Sequence, residues 1–151
     1  MAYSAIDISK ILISKSNPQE GGELLSNMKL QKLLYYCQGL YYAKFEKPLF
    51  AESIIAWQYG PVVPSVYHNF KEFGSKGIPL DVVDNEIVLE KKEEEMLSEV
   101  FTYFNQFSAI KLMNMTHSEE PWCSTNMSNE ITLDKLSKHF KKFLTTENEG
   151  V

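Results

Sequence analysis

The sequence contains no arginine: all fifteen of its basic residues are lysine, set against twenty aspartates and glutamates for a net charge of −5. A guanidinium fork is the side chain best suited to reading guanine edges and to clamping phosphate or carboxylate by two parallel hydrogen bonds. Its absence counts against sequence-specific DNA binding and arginine-assisted phosphoryl transfer, and an acidic surface repels a polyphosphate backbone. Cysteine is scarce as well. Cys37 lies inside an apolar helical pattern and Cys123 in a loop segment, neither in a CxxC pair, so no disulfide is expected. No apolar run approaches the roughly 18 residues of a membrane span. The opening residues MAYSAIDISK show no basic region leading into an apolar one, so the expected location is the cytoplasm, with no membrane partner.

What is present is the composition of an ordinary folded domain: 151 residues, 44% hydrophobic and 13% aromatic, enough for one full core. Apolar positions Ala5, Ile8, Ile11 and Leu12 recur at helical spacing behind Ser4 and Asp7, which fit an N-terminal cap. Asn17-Pro18 and Gly21-Gly22 break that pattern. Asn27 then caps a long helix with Leu30, Leu33, Leu34, Cys37, Leu40 and Tyr41 on one face. Its other stripe, Gln31, Tyr35, Gln38 and Tyr42, mixes aromatic area with hydrogen-bonding groups and suits either packing against a strand or contact with a partner.

Residues 53–58 (SIIAWQ) read as a short strand. In Tyr59-Gly60-Pro61-Val62-Val63-Pro64 the prolines predict a rigid turn, with a helix beginning at Pro64 or Ser65 and stopping at Gly74. Two β-rich runs, 80–83 and 86–89, flank Asp84-Asn85 and predict a small hairpin. Helices follow over Lys91 to Asn105, from a cap at Ser108 to about Thr116, and from a cap at Thr132 through Phe140, Phe143 and Leu144. The expected fold is therefore mainly α: one compact helical domain over 1–144 with a short strand and a small β-hairpin, then a flexible polar tail over 145–151.

Catalytic signatures are missing from the sequence: it holds no GxSxG elbow, HExxH helix, Walker loop or dinucleotide fingerprint, and its histidines are His68, His117 and His139. The sharpest enzymatic alternative groups His117, Glu119, Glu120 and Cys123 as part of a metal site or a Cys-His pair, although their spacing matches no familiar zinc motif. The plainer reading has His117 bonding backbone at a helix end and the two glutamates in an exposed loop. Lys135, Lys138, Lys141 and Lys142 cover the outer side of the last helix, as on any amphipathic surface helix. Tyr59 and Trp122 stand beside prolines in loops, and such aromatics serve equally as core residues or as interface anchors.

Three blocks carry a resemblance: residues 28–39 (MKLQKLLYYCQG) with Pro48-Leu49-Phe50, residues 56–64 (AWQYGPVVP) continuing to Phe73-Gly74, and residues 116–122 (THSEEPW). In these the chain resembles the Panacea domain of SocA-like antitoxins and phage-associated GepA-type proteins, over about residues 27–143. The resemblance implies a mostly helical domain that neutralises a cognate toxin, often in prophage-like settings, with no catalytic residues and no cofactor. It also implies that the second and third blocks lie close together. On that basis Tyr59, Pro61, Val62, His117, Glu119, Glu120 and Trp122 are the expected partner-binding residues, with the two glutamates at the rim. Other readings are an adaptor or phage regulator acting on a host protein, and a small hydrolase or metal-binding protein.

Charge and the missing arginines together predict that any DNA affinity is weak, nonspecific and steeply salt-dependent. Filter binding of random duplexes should lose affinity sharply between low and physiological salt. Selective retention of one duplex at physiological salt contradicts this reading.

Overall fold

A helix with apolar residues on one face and tyrosines and glutamines on the other has no side free for water, and the fold is built around one such helix. The computed structural model describes residues 2–16, 23–83 and 87–149. Helix α1 spans Ala5–Lys15 and α2 Asn27–Phe45. Strands β1 (Ile54–Trp57) and β2 (Gly60–Val62) precede α3 (Pro64–Asn69). Then come α4 (Lys91–Phe104), α5 (Ala109–His117), α6 (Glu120–Cys123), β3 (Glu130–Ile131) and α7 (Leu133–Glu149). The mainly helical fold class holds. Among the described residues no helix is long and apolar enough to cross a membrane.

Helices α1, α4, α5 and α7 and strand β2 all pack on α2. Leu30, Leu33, Leu34, Tyr35 and Cys37 are wholly buried, and Tyr36 and Gln31 almost so. The closest approach is made by α7, where Phe140 lies against Gly39: a Cβ on that glycine would overlap the phenyl ring.

Burying the polar stripe obliges it to find partners, because an unmet amide in the core costs about 1–3 kcal/mol. Gln38 accepts from the N–H groups of Leu49 (2.7 Å) and Phe50 (3.3 Å) and donates to the Phe50 carbonyl (2.9 Å). Gln31 accepts from Val63 N–H at 2.9 Å and donates to Asn27 Oδ1. Asn27 in turn donates to the Tyr67 carbonyl. The stripe is thus a packing face that holds the segments flanking the sheet, one of the two roles the sequence allows. Glu93, on α4, is likewise buried and accepts from the hydroxyls of Tyr3 and Tyr41.

The sheet is three-stranded, in the order β2-β1-β3, and antiparallel throughout. Trp57 pairs with Gly60, Ala56 with Pro61 and Ile55 with Val62, so Gln58 and Tyr59 form a two-residue hairpin connection. Here expectation and structure part. The residues read as a rigid turn are strand β2, because an edge strand tolerates a proline that lacks a ladder donor. The β-hairpin is at 54–62 and not at 80–89: Leu80–Val82 is a 3-10 turn, 87–90 carries no regular structure, and residues 84–86 lie outside the described ones.

Ser4, Ser108 and Thr132 cap α1, α5 and α7 through their side-chain oxygens. The cap of α2 is Ser26, accepting from Lys29 N–H, one residue before Asn27. Helix α3 begins at Pro64 as expected but ends at Asn69, and a 3-10 turn over Lys71–Phe73 leads into Gly74 at φ 58°. The break at Asn17-Pro18 and Gly21-Gly22 lies outside the described residues, as do 150 and 151 of the tail, while the α7 backbone is helical to Glu149.

Placing alanine at a helical glycine ordinarily stabilises by about 1 kcal/mol. At Gly39 the sign reverses: Gly39→Ala should destabilise the protein by about 1–3 kcal/mol, because the methyl displaces Phe140. Urea denaturation of the two proteins measures the difference, and a stabilised variant contradicts the α2–α7 packing.

Candidate functional site

The hairpin tip is fixed from outside by the turn between α5 and α6. Trp122 donates its indole N–H to the Trp57 carbonyl at 2.9 Å, and His117 Nε2 lies 3.0 Å from the Gln58 carbonyl. A carbonyl only accepts, so Nε2 carries the proton in this arrangement. The two rings also face each other, with centroids 4.2 Å apart and planes inclined by 31°. Both aromatic residues therefore bond backbone of the strand end and the tip, and the two loops meet as the resemblance implies.

Helix α6 explains how a short segment holds this position. Glu119 has extended backbone, and Pro121 follows near the start of the helix, where its missing N–H is no loss. Thr125 donates to the Pro121 carbonyl, and Lys135 of α7 donates to the Ser124 carbonyl and Thr125 Oγ1. The segment is tied at both ends.

The expected partner-binding residues fall into three environments. Tyr59 stands at the tip with 59% of its surface exposed, and Glu120 is exposed on α6. His117 and Trp122 are half-buried. Pro61 and Val62 are buried in β2, where they shape the patch from beneath. Glu119 differs most from its expected place at the rim: it turns inward, and its two oxygens accept from the hydroxyls of Tyr35 and Tyr36, each at 2.9 Å.

Burial raises the Glu119 carboxyl above the usual carboxylate range, and the two hydroxyl donors pull it back. Both tyrosine hydroxyls are pushed far up, first by burial and then by the Glu119 charge. They stay protonated and act purely as donors. The His117–Cys123 alternative finds little geometry: the exposed Cys123 thiol donates to the His117 backbone carbonyl. Among the described residues no group of three His, Cys, Asp or Glu is placed to hold a metal ion.

Sequence reasoning missed Lys32. It is 1% exposed, its Nζ lies 3.3 Å from the Pro61 carbonyl, and burial alone lowers its pKa to about 7. Gly60, at φ 112°, makes room for it, since a Cβ there would stand 2.6 Å from Lys32 Cε and 3.0 Å from Thr116 Oγ1. The available signal was a lysine three residues before Tyr35 within an apolar stretch. Ile110, 65% exposed at the start of α5, was also missed; with Tyr59, Trp57 and Tyr67 it lines a cavity of about 520 Å³ beside the hairpin tip.

The blocks that carry the resemblance thus bond to one another: Lys32 to Pro61, Tyr35 and Tyr36 to Glu119, His117 and Trp122 to the hairpin. The family model for the SocA-like antitoxin, Panacea domain, matches residues 30–123. Among curated proteins the chain is similar to Antitoxin SocA of Caulobacter vibrioides (strain NA1000 / CB15N), with 30% identity over 109 residues. That match covers 65% of this chain and 58% of the relative, so the chain spans somewhat more than half the relative's length. No solved structure matches it significantly.

Lys32 generates a pH prediction. Between about 7, its value in the fold, and 10.5, its ordinary value, the unfolded chain binds a proton that the native protein lacks. Stability from this group is therefore full above 10.5 and lost as pH falls toward 7. Replacing it with a neutral side chain of similar length removes that dependence. Between pH 7 and 9 the wild type should gain stability relative to Lys32→Met, read from urea midpoints at each pH; parallel pH profiles contradict the burial.

Proposed function

The chain belongs to the SocA-like antitoxin family by its Panacea domain, and from that membership we propose that it neutralises a cognate toxin by binding it directly. Tyr59, with Trp122 and His117 behind it, is the centre of the contact. The observation that carries this reading is a preorganised exposed aromatic. The hairpin tip is clamped by two hydrogen bonds from the α5–α6 turn, yet Tyr59 itself remains mostly exposed. A side chain on such a support loses little further freedom on binding, so more of its contact energy appears as affinity. Ile110 extends the apolar area on one side.

Glu120 supplies the charge at the edge, where an exposed carboxylate speeds encounter with a basic partner more than it holds the complex. Pro61 and Val62 act from below by setting the strand that presents Tyr59. The work is stoichiometric binding and not turnover. A setting in a prophage or other mobile element rests on the resemblance alone and accompanies this reading.

Co-expression with the product of the neighbouring gene tests the role. Growth arrest by that product should be relieved by the wild-type chain. Tyr59→Ala should keep stability within about 0.5 kcal/mol while weakening toxin binding by about 2 kcal/mol, or roughly thirtyfold. If neutralisation falls only in proportion to stability, or the chain binds no toxic neighbour, the reading is wrong.

A further inference from the structure

A second concavity, of about 610 Å³, lies on the other side of the α5–α6 turn, between α2, α4, α5 and α7. Its walls are aromatic. Tyr36 stacks on Phe104 with centroids 3.9 Å apart, Phe140 stands edge-on to Tyr36 at 5.9 Å, and Phe143 lies 5.9 Å from Phe140. Tyr103 and Phe143 are 56% and 53% exposed. Into this apolar space reaches one half-buried carboxylate, Glu119.

Each Glu119 oxygen accepts one tyrosine hydroxyl, which leaves a lone pair on each. Among the described residues no cation forms an ion pair with it. Lys44, among the described residues the one ammonium lining the groove, sits two turns along α2 from Tyr36 and places its Nζ 5.5 Å from the Phe45 ring centre. The exposed carboxylate of Glu99 adds a second negative charge at the groove's edge.

A half-buried carboxylate among aromatic side chains is the complement of an organic cation. The ring faces attract positive charge within about 6 Å, and a pair formed away from water is far stronger than one in it. We propose that this groove captures a lysine or arginine side chain of the bound toxin, with Glu119 as counter-ion, the cation being carried on the apolar face of an amphipathic segment that packs on Tyr103 and Phe143. This rests on the neutralising role proposed above and makes a second anchor beside Tyr59. The overall charge of −5 favours approach of such a segment.

The test uses the full chain and a labelled amphipathic peptide of leucine, alanine and glutamine with one central lysine, beside versions carrying arginine, norleucine or glutamate there. Fluorescence anisotropy should show the lysine and arginine peptides binding at least about tenfold more tightly than the other two. Glu119→Gln, whose amide oxygen accepts from one tyrosine while its NH2 donates to the hydroxyl oxygen of the other, should abolish that preference. Should this variant fold poorly, Tyr103→Lys puts a competing cation at the exposed mouth and should abolish it too, while Tyr59→Ala should leave it intact. Equal binding of the norleucine peptide, or a preference that survives both Glu119→Gln and Tyr103→Lys, overturns the proposal. Absence of the preference in a chain that still neutralises its toxin removes the groove and spares the role. The preference in a chain that neutralises nothing removes the role, and with it the toxin as the source of the cation.

Discussion

A nineteen-residue helix that buries Gln31, Lys32, Gln38 and the adjacent Tyr35 and Tyr36 among its apolar residues sets the terms for everything that touches it. Each of those groups needs a partner in the core. Gln38 takes the backbone of 49–50, Gln31 takes Val63, Lys32 takes the Pro61 carbonyl, and Tyr35 and Tyr36 share Glu119. The positions of the sheet, of the hairpin's edge strand and of the α5–α6 turn follow from these pairings. Apolar contact with α1, α4 and α7 supplies the driving force, and the polar pairs supply the register.

The same requirement builds the candidate site. Glu119 is drawn in by the tyrosines, so its neighbours in sequence are placed as well: His117 two residues before and Trp122 three after both meet the hairpin. Gly60 lets Lys32 pass beneath the strand, and Pro61 lies on the edge where its missing donor costs nothing. The result is a rigid seat with Tyr59 on top. One face of the turn presents exposed aromatic area, and the other borders the groove into which Glu119 reaches, so a single short helix separates two surfaces of different chemistry.

Much of this was legible in the residues. Helical periodicity found all the long helices, and side-chain caps at Ser4, Ser108 and Thr132 act where the sequence puts them, since capping is a local interaction. The hairpin was not legible in place. Asp84-Asn85 is a local turn signal, but a strand forms where the fold supplies its pairing partners, and β1 has β2 on one side and β3 on the other. The string of prolines after Trp57 hid a strand for the same reason: whether proline is tolerated depends on which strand forms the edge, a tertiary fact. The inward turn of Glu119 carries no sequence mark and the burial of Lys32 only the apolar stretch around it, because a charged residue reads as surface until the fold supplies what surrounds it. The proximity of the hairpin to the α5–α6 turn came from the family resemblance and not from the residues themselves.

In the proposed complex the hairpin tip and the α5–α6 turn together meet a cognate toxin. Hydrogen–deuterium exchange of the chain alone and mixed with the toxic product of the neighbouring gene tests this proposal most directly. Exchange should slow on binding in residues 57–60 and 117–123, with the tip and the turn protected together because they are bonded as one unit. Protection confined to other segments, with both of these unchanged, would contradict it.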